Sequence, residues 1–300
     1  MDLAERIAAA DAAQCSADGV ATSRPAAFGL ANRFQQMRHA IAVGALLVSF
    51  AASALAAPPE AIRDLAPDGT LRAAINYGNS VLAQRPAAGE EPHGVSVELA
   101  RELGRQLGVP VKFVFYNDAG SVPAALASNA WDIAFLAIDP VRAQGIAFTA
   151  PYVVIEGVYL VATDSPLHAV EEVDRPGLRI AVSTGSAYDL YLTRALKHAQ
   201  LVRFPGPTAA TEGFERQHLD ALAGVKQPIV AFAAAHSNTR VLPGQFMVIE
   251  QAIGTPQGRN AGLFYLRSFV EQLKASGFVA QALAATGQDR SIVAPAAAAP

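Results

Sequence analysis

Short apolar runs and apolar positions at helical spacing alternate along most of the chain. Residues 133–138 form a short, almost wholly apolar run, which is typical of a strand buried on both faces of a parallel sheet. Apolar residues at 95, 99, 103 and 107 predict an amphipathic helix that Gly108 ends. Similar patterns predict strands at 71–75, 111–116, 153–161, 178–182 and 201–204, and helices at 122–129, 187–199, 208–217, 263–276 and 279–285. This alternation predicts an α/β fold with mainly parallel strands.

Candidate binding residues follow the ends of several predicted strands, the edge at which open α/β sheets bind ligands. Arg142 comes one turn after the strand at 133–138. Its planar guanidinium carries five donors and suits a carboxylate or phosphate, although a surface salt bridge is the alternative interpretation. Tyr77 follows the first strand and is either a wall beside an apolar part of a ligand or a packing residue. Ser186 is a good N-cap for the helix at 187–199, whose first N–H groups can hold an anion.

Three segments of the chain match the sequence pattern of one protein family. An apolar strand after Asp132, a turn containing Arg142 and an I-x-F-[ST]-x-P-Y pattern over 146–152 resemble the family 3 extracellular solute-binding proteins. These are the amino-acid-type periplasmic binding proteins of ABC importers. Residues 94–100 and 177–186 resemble two further segments of the same family, so the resemblance spans about residues 60–290.

The resemblance implies a two-lobe fold of the type II periplasmic-binding-protein kind, each lobe a mainly parallel sheet flanked by helices. Two extended crossings, at 153–161 and 244–249, would form the hinge. The resulting limits are 58–161 and 250–292 for lobe 1 and 162–249 for lobe 2.

The resemblance also implies a function and a site. Arg142 would bind the carboxylate of a small solute, an amino acid or a related organic acid, in bidentate fashion. N–H groups around Ala137 in lobe 1 and at Ser186–Ala187 in lobe 2 would support it. The expected partner is a membrane permease with its ATPase, and the protein would act as a monomer without a cofactor.

Two departures from the family pattern bear on the ligand. Val225 stands where amino-acid binders commonly carry an acidic partner for the α-amino group, which favours an acid without an amine or an amino acid held differently. The neighbouring Lys226 would meet a second anion or remain a solvated charge. Asp139 replaces the family's usual Thr and would either orient Arg142 or cap the turn that follows.

The N-terminal region contains a predicted secretory signal peptide over residues 37–56. A basic start at 37–39 precedes an apolar run at 40–50 and an Ala-Leu-Ala cleavage site ending at Ala56. Because signal peptides begin a chain, residues 1–36 are interpreted as a mis-called extension, and export to the periplasm follows. An uncleaved membrane anchor is the alternative. At the other end, the Ala/Pro-rich residues 293–300 are predicted to be disordered.

Composition and motifs exclude several classes of function. The chain is 52% hydrophobic with a net charge of −3 and no basic stripe, which excludes nucleic acid as a partner. Its single cysteine, Cys15, precedes the cleavage site, so the mature chain has no thiol chemistry. The sequence contains no H-E-x-x-H, Walker A or G-x-G-x-x-G motif, so neither a catalytic metal nor a nucleotide is expected.

Two alternatives to a transport role remain open. One is a solute sensor that presents its ligand-bound form to a membrane receptor. The other is an enzyme resembling the cyclohexadienyl dehydratases, which share this fold and use a general acid in the cleft. Asp139, Glu156 and His93 are the candidate acids.

Overall fold

Ten strands and eight helices make up the described part of the computed structural model, residues 57–87 and 90–298. The strands are β1 (Leu71–Asn76), β2 (Val111–Tyr116), β3 (Ile133–Ala137), β4 (Ile146–Phe148), β5 (Val153–Ala162), β6 (Arg179–Ser183), β7 (Gln200–Phe204), β8 (Ala221–Val225), β9 (Thr239–Val241) and β10 (Met247–Pro256). The helices are α1 (Pro59–Leu65), α2 (Val95–Leu107), α3 (Ser121–Ala124), α4 (Ala187–Ala195), α5 (Pro207–Arg216), α6 (Lys226–Ala235), α7 (Asn260–Ala275) and α8 (Phe278–Ala284). The predicted signal peptide and the extension before it lie outside these residues.

Eight of the ten strands form a curled sheet in the order β2-β1-β3-β10-β5-β8-β6-β7, while β4 pairs with β10 and β9 pairs with β5. The pairs of β1 with β2 and β3 are parallel, and so are the pairs of β6 with β7 and β8. The long strands β5 and β10 run antiparallel to each other, from Val153 opposite Gln251 to Gly157 opposite Met247. The fold is therefore the predicted two-lobe α/β architecture with a two-strand hinge. Lobe 1 contains β1–β4 and lobe 2 contains β6–β9, while the limits drawn from the sequence stay a prediction.

Local sequence pattern explains the elements that frame the cleft. All five residues of β3 are buried, as its apolar run predicts. Helix α2 has the predicted bounds and ends at Gly108, which adopts the left-handed conformation at φ 69°. The helix predicted at 187–199 ends early, at Ala195, because the Asp174 carboxylate accepts the backbone N–H groups of residues 197–199.

Each lobe has an arginine and an aspartate that interact at the N-terminal ends of its parallel strands. In lobe 1 the buried Asp132 carboxylate accepts hydrogen bonds from the Arg72 backbone N–H at 3.0 Å, from the Arg72 guanidinium and from Arg259 Nη1 at 2.8 Å. In lobe 2 Asp220 accepts the Arg179 backbone N–H at 2.8 Å, without a guanidinium partner among the described residues. Burial raises the pKa of Asp132, but the hydrogen bonds from the two arginines outweigh it and lower the pKa below its ordinary value. In lobe 1, Asp132 and its two arginines therefore form a charged network that links β1, the start of β3 and the start of α7.

Three segments differ from the sequence-based expectation. Residues 59–65, where no element is predicted, form the helix α1 with Pro59 at its first position, and the predicted helix at 122–129 breaks into α3 and a 3₁₀ turn. Residues 293–298, for which composition predicts disorder, lie along lobe 1 instead. Ala294 donates its N–H to the Tyr152 carbonyl, and the Pro295 carbonyl accepts from Lys274 Nζ. No helix within the described ranges combines the length and hydropathy that a membrane crossing requires.

Candidate functional site

Arg142 lies within the β3–β4 connection, where the two lobes meet. Its side chain is only 4% exposed. Nη1 donates to the Ala137 carbonyl at 3.0 Å in lobe 1, and Nη2 donates to the Gly185 carbonyl at 2.9 Å in lobe 2. Nε is buried and has no partner among the described residues. Burial lowers the pKa of Arg142 to about 10, which the Asp139 charge partly opposes, so the guanidinium remains charged at neutral pH.

The cleft beside Arg142 encloses a small pocket of about 30 Å³. Its walls come from both lobes and from the hinge strand β10, and they comprise Asn76, Gly78, Asn79, Ala119, Ala137, Arg142, Ser183, Ser186, Ala187, Tyr188, Pro207, Val225, Ile249 and Gln251. Four residues proposed from the sequence, Arg142, Ala137, Ser186 and Ala187, are therefore brought together here. We name this cavity the head pocket.

The lobe 2 wall of the head pocket is the start of helix α4. Ser186 Oγ accepts the Asp189 N–H at 3.0 Å, which is the N-cap predicted from the sequence. The Asp189 carboxylate turns back to the Gly185 N–H at 2.8 Å and pairs with Arg203 at 2.9 Å. The N–H groups of Ala187 and Tyr188 have no acceptor inside the helix and carry the positive end of its dipole. An anion in the head pocket would meet this end of α4 on one side and Arg142 on the other.

Asp139 links the lobes rather than lining the head pocket. One carboxylate oxygen accepts the Val141 N–H at 2.8 Å, and the other pairs with Arg194 on α4 at 2.7 Å. Of the two roles left open by the sequence, the cap of the following turn is the one seen, and the carboxylate makes no hydrogen bond to Arg142. Asp139 therefore leaves the Arg142 guanidinium free of a carboxylate partner.

Tyr77 and Lys226 lie elsewhere in the cleft region. Tyr77 lines a second, wider cavity of about 460 Å³ and packs against Phe115 and the Arg85 guanidinium. We name this cavity the body pocket. Lys226 begins helix α6, where it pairs with Glu156 of the hinge strand β5 at 2.5 Å. It lines neither the head pocket nor the body pocket, so the structure does not bring it to the predicted site.

The three acids considered for a dehydratase do not converge. Asp139 pairs with Arg194 and Glu156 pairs with Lys226. His93 Nε2 lies 2.9 Å from Gln84 Oε1. None of the three lines the head pocket.

Three amides of the head pocket have no counterpart among the residues singled out from the sequence. Asn76 is the last residue of β1 and Asn79 follows the strand, while Gln251 lies on β10 opposite Ala137 and Val153. Because ligands bind at the carboxyl ends of strands in open α/β sheets, Asn76 and Asn79 could have been predicted, although the same argument applies equally to Tyr77. Gln251 and the preceding Glu250 are polar residues near the centre of a mainly apolar hinge strand, and that interruption was the available signal.

Gly185 allows the two lobes to approach closely. It adopts φ +69°, and a Cβ on it would lie 2.7 Å from Gly120 Cα of the other lobe. We expect Gly185→Ala to hold the lobes apart and to reduce the ligand-induced decrease in radius of gyration measured by small-angle scattering. Gly108→Ala is the matched control, because Gly108 has the same φ with no atom near its Cβ position. Both variants should lose about 1–2 kcal/mol of stability, because alanine is strained in the left-handed backbone conformation. An equal ligand-induced decrease in radius of gyration in the two variants would contradict the expectation.

Comparison with known proteins agrees with this geometry. The family model for bacterial extracellular solute-binding proteins, family 3, matches residues 78–285. No curated protein matches the chain significantly. Among solved structures, the P235GK mutant of ArgBP from T. maritima is 23% identical, with a TM-score of 0.65 over 76% of this chain and 99% of that chain.

Two other solved structures show the same fold. AbpA from Streptococcus pneumoniae, bound to L-arginine, is 17% identical with a TM-score of 0.65, covering 78% of this chain and 100% of its own. The ancestral amino acid-binding protein AncCDT-1, a precursor of cyclohexadienyl dehydratase, is 21% identical with a TM-score of 0.63, covering 75% and 98%. The family match covers more than half of the chain and coincides with the strands and helices that build the cleft. The chain therefore belongs to the bacterial extracellular solute-binding proteins, family 3.

Proposed function

We propose that this protein is the periplasmic substrate-binding component of an ABC importer and captures a small carboxylate-bearing solute between its lobes. The observation that carries the proposal is Arg142, a buried cation at the meeting point of both lobes whose Nε has no partner among the described residues. A buried cation is costly unless an anion compensates it. A ligand carboxylate in the head pocket would supply that compensation.

The arrangement also supports a mechanism of capture by closure. Arg142 belongs to lobe 1, while the helix start at Ser186–Ala187 belongs to lobe 2. A carboxylate between them would contact both groups at once only when the lobes are together. Because a ligand shifts an equilibrium by its differential affinity for the two states, binding would favour the closed form. A closed, loaded form is what a permease must distinguish from the open one.

The relatives support a solute of this class. AbpA is described as an amino acid ABC transporter substrate-binding protein, and its ligand L-arginine carries a carboxylate. A dehydratase function has less support, because no acidic residue occurs among the described residues that line the head pocket.

A thermal-shift screen of protein purified from the periplasm tests the proposal. We expect the unfolding midpoint to rise with at least one small carboxylate and not with its amide, because a ligand that binds only the folded state stabilises it by mass action. No shift with amino acids or with mono- and dicarboxylic acids would refute the proposal. Uptake of the identified solute should then be lost in a deletion strain, whereas a sensor would leave uptake intact and abolish only a response.

A further inference from the structure

We propose that the ligand is a carboxylic acid with an apolar body and no amino group. Its carboxylate would lie in the head pocket at Arg142, and its body in the body pocket between α5 and α6. This inference deepens the function proposed above and rests on it.

The charge of the head pocket disfavours an ammonium group. Of the fourteen described residues that line it, Arg142 is the one with a charged side chain. A monoanion would neutralise this charge. The α-ammonium of an amino acid would be buried beside a cation without a counter-ion, which is unfavourable in a site shielded from water. Val225, at the end of β8, contributes an apolar wall that is 9% exposed.

The nearest buried carboxylates are already neutralised by other arginines. Asp139 pairs with Arg194 and Asp189 pairs with Arg203. Neither aspartate lines the head pocket. Recruiting one of them to an ammonium would break an existing ion pair, so these aspartates do not substitute for the acidic partner.

The body pocket provides the space that the head pocket lacks. About 30 Å³ admits little beyond a carboxylate, whereas 460 Å³ is within the range of small-molecule sites. The two cavities are adjacent, because Gly78, Tyr188, Pro207 and Val225 line both of them. The remaining wall of the body pocket is largely apolar and includes Leu222, Ala223, Ile229 and Phe232. An alkyl or aryl body extending from the carboxylate would be buried there.

The rim of the body pocket limits the far end of the ligand. Glu212 and Glu215 lie there on α5, and both are exposed to solvent. They would disfavour a second carboxylate at this end, but only weakly, because solvent screens exposed charges. They would attract a distal cation only weakly, because solvent screens exposed charges. The Arg85 guanidinium beside Tyr77 opposes such a cation.

Two pairs of compounds that differ only in the α-amine test the inference by titration calorimetry on protein purified from the periplasm. They are isocaproate against leucine and hydrocinnamate against phenylalanine. We expect each acid to bind at least tenfold more tightly than its amino acid, a difference of about 1.4 kcal/mol. Acetate should bind more weakly than isocaproate, because it leaves the body pocket unused.

A substitution at Val225 tests the role of this position whichever of the two ligands the native protein binds more tightly. Val225→Asp would place a carboxylate beside the ligand, and Val225→Asn is the matched control of the same size without the charge. We expect Val225→Asp to weaken isocaproate binding and to improve leucine binding, so that the ratio of the two affinities falls by tenfold or more. Val225→Asn should keep the native order.

Each other outcome has a defined meaning. Tighter binding of leucine, phenylalanine, arginine or lysine than of the amine-free acids would overturn this inference while supporting the carboxylate function. Equal binding of acetate and isocaproate would overturn the assignment of the body pocket. An unchanged affinity ratio in Val225→Asp would remove Val225 from the site. Absence of binding by every carboxylate would instead refute the proposed function itself.

Discussion

Arg142→Ala is expected to lose about 2–5 kcal/mol of binding free energy for a carboxylate ligand, because it removes a charge-assisted contact from a buried site. The residue is almost fully buried and donates to carbonyls of both lobes, so the variant also removes a link across the cleft. Calorimetry with the acid identified in the screen measures the loss, and circular dichroism confirms that the variant is folded.

Arg240→Ala is the matched control for Arg142→Ala. Arg240 also donates to backbone carbonyls, those of Ser165 and Leu167, but it lies in lobe 2 and lines neither pocket. The Arg240→Ala variant should be less stable than the native protein but should bind the carboxylate ligand with the same affinity. If Arg142→Ala binds its ligand as tightly as the native protein, the site assignment is wrong.

Asp132→Ala should destabilise the folded protein by about 3–5 kcal/mol, since it removes one partner of a buried charged network. The carboxylate is fully buried, and its loss would leave the two guanidinium groups of Arg72 and Arg259 facing each other. Urea denaturation measures the change as a lower midpoint with an unchanged slope. Ligand affinity of the folded fraction should not change, because Asp132 lines neither pocket.

The stability that Asp132 contributes has a defined pH dependence. Its pKa is lowered in the folded protein, so the contribution is fully present above the unfolded-state pKa of about 3.9 and is lost as pH falls through the folded-state value. The difference between native protein and Asp132→Ala should therefore shrink in acid.

Asp220→Ala is the control in lobe 2, because Asp220 accepts an equivalent backbone N–H but no guanidinium among the described residues. Its loss should cost about 1 kcal/mol. Equal losses of stability in Asp132→Ala and Asp220→Ala would show that Arg72 and Arg259 contribute nothing to the stability of the folded protein.

The sequence predicts the parts of the fold that depend on short-range pattern. The strand at 111–116 and the helix at 95–107 coincide with β2 and α2 to the residue, because both carry an unambiguous period and clear terminators. The segment predicted as a helix at 122–129 is instead α3, which ends at Ala124, followed by a 3₁₀ turn over Leu126–Ser128 that the left-handed Asn129 ends. The general position of the site also follows from sequence, because ligand sites lie after the carboxyl ends of strands.

The contacts that define the electrostatics of the cleft could not be predicted in this way. Asp139 and Arg194 are 55 residues apart, and Glu156 and Lys226 are 70 apart. Their pairing depends on how the lobes approach and on the register of β5, which no local pattern encodes. The same limit applies to the body pocket, since its walls come from α5, α6 and the turn after β1.

The Asp139–Arg194 pair has a consequence for kinetics. Its aspartate is buried but its arginine is 42% exposed, and the pair spans the two lobes. A contact present only in the closed form slows opening, and therefore slows release, more than it affects the rate of encounter. Because the arginine is exposed, the contribution is at most about 1 kcal/mol, or about a fivefold longer residence time, and it decreases as salt concentration rises. In the proposed role, the time for which a captured solute remains available for transfer would then depend on the ionic strength outside the cell membrane.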